Sequence, residues 1–350
     1  MSVGIKDIAK SCGLSNNAVS DIVNRGRQHL YRPDTCARVL QAAAELNYRP
    51  NRSAQAMRKL RTRVVGFLAG NMQAGGLLEN HTVYPFLIGM SHYLIERRYH
   101  VSLVEMKEFG EPDPLASSAS SPSLPDVLCE KFLDGLVAHY GVPERANGLL
   151  EQSEVPTIWW DTGVPSEYDC LYRDENAVSP NLVRHLIAKG HERIAMAVGD
   201  SGWRNYSAGL PVHYSYSSRY ETFCSEMAAN GLDPLIVVGY DAQDMARQLK
   251  SQRVTALILG SYQYQMLLAP CGILGWRIPE ELSVVTCDRE ARIRMPVVAL
   301  TGMSYDRYDA GRVAAEMLHA KIESPEKRVP TRVIKPVFID GTTAGPPRRA

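Results

Sequence analysis

The chain has 350 residues, of which 45% are hydrophobic, and a formal net charge of +1 at neutral pH. This length is too great for one small domain and suits a small domain followed by a two-lobed core. No run of about eighteen apolar residues occurs, and the amino terminus lacks a secretory leader, so no membrane span is expected. The seven cysteines are scattered without a C-x-x-C pair, which favours reduced thiols in a cytoplasmic protein and no metal site.

The near-zero net charge hides an asymmetry along the chain. Residues 1–63 contain twelve Lys and Arg residues against four Asp and Glu, whereas the remainder contains 27 against 34. A basic segment on an acidic body is typical of a nucleic-acid-binding end. A solvated basic tail is the alternative. It is disfavoured because the basic residues lie inside a patterned helical unit.

Two short helices separated by a tight turn are predicted at the amino terminus. Ile5, Ile8 and Ala9 have the spacing of an apolar helical stripe. Gly13 interrupts this pattern, and Ser15 is a typical N-cap for a second helix. We expect an outward-facing polar set at the start of that helix, where a recognition helix meets base edges: Asn16, Asn17, Ser20 and Asp21.

A third helix is predicted over Pro33–Leu46, and the motif around all three helices is specific. The block resembles the lactose-repressor (LacI-type) family of bacterial transcription regulators, over nearly all of the chain but more weakly in the ligand-binding part. The family pattern D-[VI]-A-x-x-x-G-[VL]-S-x-x-x-V-S, then x-x-x-N, then L-x-Y-x-P-N, is matched by Asp7–Ser20, Asn24 and Leu46–Asn51.

The resemblance implies base-reading positions at Asn16, Asn17 and Ala18. An amide pairs bidentately with adenine, whereas Ala18 makes only apolar contact, for instance with a thymine methyl. Asp21 departs from the family, in which many members carry Arg. Its carboxylate either accepts a bond from cytosine or pairs only with Arg25, and both readings stay open.

Other headpiece residues are expected to contact phosphates, which set register and affinity rather than sequence choice. They are Ser20, Asn24, Arg32, Tyr48 and Asn51. The stretch Pro50–Leu60 resembles the family's hinge helix, which orders on DNA. Met57 occupies the position of a minor-groove wedge, and packing inside a dimer is the alternative.

Strand-like apolar runs alternate with helical patterns from Val64 onward, which predicts parallel sheets wrapped by helices. The expected fold class is α/β, with an N-terminal all-α helix-turn-helix headpiece plus two Rossmann-like lobes of the periplasmic-binding-protein type. The expected segments are a headpiece 1–49, a hinge helix or linker 50–63, an effector-binding and dimerisation core 64–345, and a frayed tail 346–350. The first lobe is expected at about 64–173 and 303–334, the second at about 174–300 and 335–345, with crossings near 172–174, 300–303 and 333–337.

The resemblance also implies an effector site between the lobes. Asp161, Arg219 and Asp288 match its usual polar positions, since Arg offers a planar fork and Asp accepts bonds. Flat walls for a ring are expected from Phe86, Trp160 and Tyr262. Core packing of the first two, and an ion pair between Arg219 and Asp288, remain competing interpretations.

Three departures make a standard sugar pocket doubtful. Ser261 and Tyr262 stand where the family has Asn-Asp, and the loop Asn71–Tyr84 is longer than usual. The predicted loop Ser201–Ser218 is also long and rich in rings, with Trp203, Tyr206, His213, Tyr214 and Tyr216, and both loops are expected to border the cleft. An aromatic, acidic or larger ligand, or no small ligand, are the open alternatives.

The expected function is therefore that of a dimeric, ligand-responsive regulator, most simply a repressor, that binds a palindromic double-stranded operator. A sugar or related metabolite is the expected effector, and no cofactor is expected. The alternatives are a solute-binding protein or an enzymatic use of the two-lobed core. The fragment GDSG at Gly199–Gly202 is too short to support a protease, and no phosphate-binding or H-E-x-x-H motif occurs, so no catalytic residue is assigned.

Overall fold

The structure is a computed structural model in which two compact units, Met1–Thr62 and Arg63–Ala350, have hydrophobic cores of their own. It describes residues 3–48, 61–69, 83–105, 132–139, 148, 150, 153–163, 166–239, 241–260, 267–289 and 299–348. The predicted hinge helix Pro50–Leu60 and residues 71–82 of the predicted loop Asn71–Tyr84 lie outside these residues, whereas Val83 and Tyr84 begin a helix.

The amino-terminal unit contains three described helices: α1 Ile5–Cys12, α2 Asn16–Val23 and α3 Pro33–Glu45. Gly13 ends α1 with a left-handed φ of 61°, and its N–H donates to the Ala9 carbonyl. A residue without a Cβ suits this conformation. Ser15 caps α2, since its Oγ accepts a bond from the Ala18 N–H at 3.2 Å. The helix-turn-helix therefore follows from local sequence signals.

A small apolar core holds these three helices together. Each helix contributes buried side chains: Ile8 and Ala9 from α1, Val19 and Ile22 from α2, and Cys36, Val39 and Ala42 from α3. Cores of this size stabilise only small domains.

The larger unit alternates strands and helices, as the sequence pattern predicts. Its strands are β1 Val64–Ala69, β2 His100–Glu105, β3 Gly135–His139, β4 Thr157–Trp160, β5 Cys170–Arg173, β6 Ile194–Val198, β7 Leu235–Val238, β8 Ala256–Leu259, β9 Ser283–Thr286, β10 Thr301–Ser304, β11 Arg332–Ile334 and β12 Val337–Ile339. Its helices are α4 Val83–Glu96, α5 Val178–Ala188, α6 Asp200–Ser207, α7 Tyr214–Ala229, α8 Ala242–Ser251, α9 Leu268–Leu274 and α10 Arg307–Glu323.

The strands form two six-stranded sheets, one in each lobe. The first has the order β11-β5-β4-β3-β1-β2 and the second β12-β10-β9-β8-β6-β7. All pairs are parallel except β10 with β12. Every residue of β3 and β6 is buried, as expected of parallel strands covered by helices on both faces. The predicted α/β fold class is therefore confirmed.

Helices α4 and α10 pack closely on the first sheet. A Cβ added to Gly311 would overlap the Phe86 carbonyl, and one added to Gly89 would overlap the Tyr308 carbonyl. Each glycine thus lets the facing backbone approach where a larger residue would force the helices apart.

Two sequence-based expectations need correction. Because β10 pairs within the second sheet, the chain crosses back to the first lobe after Ser304, so the predicted lobe boundary at 303 and crossing at 300–303 come too early. The segment 201–218 is not one long loop, because it contains α6 and the start of α7. The sequence did not predict α6 because most of its residues are polar.

Candidate DNA-binding headpiece and effector cleft

The first turn of α2 presents two neighbouring amides. Asn16 and Asn17 are exposed, and Ala18 is half-buried behind them. The Ser15 cap fixes the start of the helix and so fixes the direction in which these residues leave the backbone. Exposed amides at a helix start are able to reach the donor and acceptor pattern of a base edge.

The expected outward position of Ser20 and Asp21 is wrong, because both side chains are buried against the rest of the headpiece. One Asp21 carboxylate oxygen accepts from Arg25 Nη1 at 2.9 Å, and the other accepts from the Tyr31 hydroxyl at 3.0 Å. The Arg25 hydrogen bond holds the pKa of Asp21 below its ordinary value. This geometry supports the alternative in which Asp21 pairs with Arg25 within the chain, over the one in which it accepts a hydrogen bond from cytosine.

The remaining candidate DNA contacts differ in their surroundings. Asn24 Nδ2 donates to the Tyr48 hydroxyl at 3.3 Å, so two of the candidates contact each other. Arg32 is exposed immediately before α3. Asn51 and Met57 lie outside the described residues.

A cavity of about 610 Å³ lies between the carboxyl ends of the two sheets, where ligands bind in open α/β folds. The first lobe contributes His139, Trp160 and Asp161. Elements of the second lobe and the crossings contribute the rest of the wall: Arg173, Ser201, Gly202, Asn205, Pro211, Val212, His213, Ser215, Tyr216, Asp288 and Arg307.

Arg173, the last residue of β5, joins the two sides of this cleft. Its Nε and Nη2 bind the two oxygens of Asp161 at 3.1 and 2.8 Å. Its Nη1 lies 2.9 Å from Glu175 and 3.0 Å from Asp288. One buried guanidinium therefore links a carboxylate of the first lobe to one of the second.

Two further arginines complete the buried network. Arg219 forms a fork on Glu175 at 2.7 and 2.9 Å and donates to the Gly260 carbonyl at 2.7 Å. Arg307, the first residue of α10, lies 2.6 Å from Asp288. Three arginines thus neutralise three carboxylates, which is the pairing that buried charges require.

The pKa values reflect this pairing. Burial alone would raise the pKa of Asp288, but Arg307, Arg173 and Arg219 hold it at about 2. Burial also opposes ionisation of Asp161, and Arg173 lowers its pKa below the ordinary range nonetheless. Burial lowers the pKa of His139 to about 4. The cleft therefore contains ionised carboxylates and, near pH 7, a neutral His139.

The predicted effector residues meet only in part. Trp160, Asp161 and Asp288 line the cavity. Phe86 does not, because it is 1% exposed and stacks behind Trp160 with ring centroids 5.0 Å apart. Arg219 is bound to Glu175 and lies 3.7 Å from Asp288, so the competing ion-pair interpretation describes it better than a free ligand contact. Ser261 and Tyr262 lie outside the described residues.

Sequence reasoning placed His213 and Tyr214 in a segment bordering the cleft but missed four other residues that shape it: His139, Arg173, Glu175 and Arg307. A detectable signal existed for some of them. His139 ends the apolar strand β3, and residues at carboxyl ends of parallel strands face a common crevice. Arg173 ends β5 and carries the same signal, but its pairing does not show in the sequence, because Asp161 and Asp288 lie 12 and 115 residues away.

No helix in the described part of the chain combines the length and the apolar character needed to cross a membrane. Within those same ranges, no cluster of three or more His, Cys, Asp or Glu side chains is arranged to hold a metal ion.

Comparisons with known proteins extend over almost the whole chain. Residues 183–344 match the family described as periplasmic binding protein-like domain. The HTH-type transcriptional repressor PurR of Edwardsiella ictaluri (strain 93-146) is 27% identical, over 96% of this chain and 95% of the relative. The HTH-type transcriptional regulator KdgR of Bacillus subtilis (strain 168) is 21% identical, over 91% of each.

A solved structure supports the fold over the same length. The crystal structure of the lac repressor dimer bound to operator and the anti-inducer ONPF aligns with a TM-score of 0.74 and 18% identity, covering 99% of this chain and 100% of that one. These relatives are transcription regulators rather than enzymes. With its helix-turn-helix unit and paired parallel sheets, the chain is similar over almost its whole length to HTH-type transcription regulators and has the fold of the lac repressor.

Proposed function

We propose that the chain is a transcription repressor that binds a two-fold symmetric DNA operator as a homodimer and responds to a small ligand in the cleft. The observation that carries this proposal is the exposed pair Asn16 and Asn17 at the capped start of α2. Base edges in the major groove are read by such groups, and two-fold dimers read palindromes. Regulators that span 96% and 91% of the chain support it.

Within this proposal the DNA-contacting residues divide by role. Asn16, Asn17 and Ala18 read base edges, whereas Asn24, Arg32 and Tyr48 contact phosphates. Asn51 and Met57 belong to the proposed hinge, residues 50–63, which joins the headpiece, residues 1–49, to the core. The buried Ser20 and Asp21 support the headpiece from inside.

The cleft is the proposed effector site. Its volume of about 610 Å³ lies within the range of small-molecule pockets, and Trp160 and Tyr216 offer flat apolar surfaces beside the ionised Asp288. A sugar or related metabolite is the proposed class of effector. The arginines occupy both oxygens of Asp161 and of Glu175 and Oδ2 of Asp288, and Asp288 Oδ1 is the acceptor among these that has no hydrogen-bond partner. A ligand with one hydrogen-bond donor and an aromatic or apolar face therefore fits better.

We propose a non-enzymatic protein of the cytoplasm, where its DNA lies. His213 Nδ1 lies 2.7 Å from Ser215 Oγ, but the same nitrogen accepts the Ser215 N–H as a helix cap, and Nε2 bonds the Asp161 carbonyl rather than a carboxylate, so this pair is better explained by the start of α7 than by catalysis. A solute-binding role is the second candidate, because the two-lobed core has that family's fold. The headpiece opposes it.

Selection of genomic fragments by the purified full chain, followed by gel shift on the selected duplexes, tests the proposal. We expect a symmetric site, a complex with two chains, and an affinity that falls steeply with salt because about six or more phosphates are neutralised. Met57→Ala should weaken operator binding while general DNA affinity survives. Failure to retain any duplex, with or without metabolite extract, would refute the proposal.

A further inference from the structure

The two lobes are joined across the mouth of the cleft by residues that begin α7. His213 Nε2 donates to the Asp161 carbonyl at 2.8 Å, and the Tyr214 hydroxyl donates to Asp161 Oδ1. Asp161 follows β4 of the first sheet, whereas α7 packs on the second-lobe helix α5. These two bonds therefore connect the lobes at a point remote in sequence from the crossings.

His213 also sets the start of α7. Its Nδ1 accepts the Ser215 N–H at 3.3 Å and lies 2.7 Å from Ser215 Oγ, so the ring caps the helix on one side while its other nitrogen reaches the first lobe. Pro211, Val212 and His213 line the cavity just before this cap. Loss of the contact to Asp161 would thus free residues 211–213, which line the cavity.

Asp161 is held in one position by the first lobe. Arg173 grips both of its carboxylate oxygens, and its backbone N–H donates to the Leu171 carbonyl at 3.0 Å. Its φ of 55° is left-handed, a conformation that costs free energy unless surrounding bonds maintain it. Asp161 therefore has a fixed position, at which residues of the second lobe bind it when the cleft is closed.

We infer that His213 and Tyr214 form a latch that closes the cleft by binding Asp161, so that a ligand enters or leaves only when these two bonds open. The latch deepens the proposed function, since its role in regulation rests on the cleft taking an effector. Its partners belong to both lobes, so it biases the lobe arrangement to which operator binding would be coupled. If the two bonds only stabilised the fold, their removal would not change how often the cleft opens locally.

A matched pair of tyrosines separates these two cases. Tyr214→Phe removes only the hydroxyl that crosses between lobes. Tyr206→Phe removes a hydroxyl that donates to Glu221 at 3.2 Å within the second lobe. Both variants keep the ring, but Tyr214→Phe loses two hydrogen bonds, the one to Asp161 Oδ1 and the one that the hydroxyl accepts from the Arg173 N–H at 3.2 Å, whereas Tyr206→Phe loses one within the second lobe. They therefore differ mainly in whether the lost bonds reach the strand ends of the first lobe.

Hydrogen exchange of the full chain, without DNA or ligand, is the measurement. We expect Tyr214→Phe to speed amide exchange in 157–163 and 212–216 by about tenfold, with β6 and β8 unchanged, because a bond to a charged acceptor opposes local opening. Tyr206→Phe should leave the 157–163 segment at the wild-type rate. Equal rates in that segment for all three proteins would overturn the latch.

A second variant keeps the inference testable if Tyr214→Phe alters folding. His213→Asn retains a residue type that caps helices but is too short to reach the Asp161 carbonyl. It should also open the 157–163 segment, and wild-type exchange there would count against the latch. Operator binding is measured separately by gel shift, so a chain that ignores DNA would refute the proposed function while the exchange data still decide the latch.

Discussion

Arg173 ends β5 of the first sheet and Asp288 follows β9 of the second, yet Arg173 Nη1 lies 3.0 Å from Asp288 Oδ2. The bond spans the cavity that we propose as the effector site. The positively charged guanidinium of Arg173 therefore lies among the groups that an effector would otherwise contact.

Removal of the central guanidinium should be costly. Arg173→Ala leaves Asp161 without its arginine partner, whereas Glu175 and Asp288 keep Arg219 and Arg307. Breaking a buried pair in this way costs about 3–5 kcal/mol of unfolding free energy. Urea denaturation followed by circular dichroism measures this loss. Arg184→Ala is the control, because Arg184 pairs with Glu226 on the surface and should change stability little. Equal effects of the two variants would contradict a special role for Arg173.

Stability should fall between pH 7 and 5. Because burial lowers the folded pKa of His139 from 6.5 to about 4, the unfolded chain binds this proton more readily. The contribution of neutral His139 to the free energy of unfolding is full above pH 6.5. It declines on acidification by up to roughly 1.4 kcal/mol per pH unit. Burial likewise lowers the pKa of His191 and His213.

Thermal melts at several pH values test this dependence. His139→Phe keeps a ring between Phe67 and Trp160 and should flatten the fall, because the titrating group is gone. His29→Phe, at an exposed headpiece position, serves as the control and should leave the slope unchanged. A slope in the His139 variant as steep as in wild type would disprove the assignment.

Close packing of α4 on α10 predicts opposite effects for two glycines. Gly311→Ala forces a methyl group into the Phe86 carbonyl and should destabilise the first lobe by about 1–3 kcal/mol. Gly272→Ala, in α9, meets no atom within 4 Å and should stabilise by about 0.5–1 kcal/mol through helix propensity. Differential scanning calorimetry compares them, and a neutral Gly311→Ala would show that the helices are able to separate.

Base reading by α2 should be separable from headpiece stability. Asn16→Ala and Asn17→Ala should each cost about 1–3 kcal/mol of discrimination between operator and mismatched duplexes, with melting unchanged. Asp21→Asn should lower the melting temperature and leave base preference intact, because its carboxylate binds Arg25 and Tyr31. Competition gel shifts measure the preferences, with the exposed Gln41→Ala as control. A changed base preference in Asp21→Asn would instead support the alternative in which the Asp21 carboxylate accepts a hydrogen bond from cytosine.

The headpiece was predictable from sequence because its signals are local. The left-handed Gly13, the Ser15 cap and Pro33 at the start of α3 each act within a few residues, and the apolar stripe of α1 is visible without a structure. The burial of Asp21 was not predictable, because it depends on Tyr31, which another segment brings near.

The alternation of strands and helices by itself determined the two-lobed α/β fold, since periodicity and strand-end chemistry are properties of short segments. Only the tertiary structure decided which groups face one another across the cleft. Phe86 became core because Trp160 stacks over it, and Arg173 became the centre of the site because folding brings Asp288 to it from 115 residues away. Charge pairing at such separation depends on three-dimensional position, which no local pattern encodes.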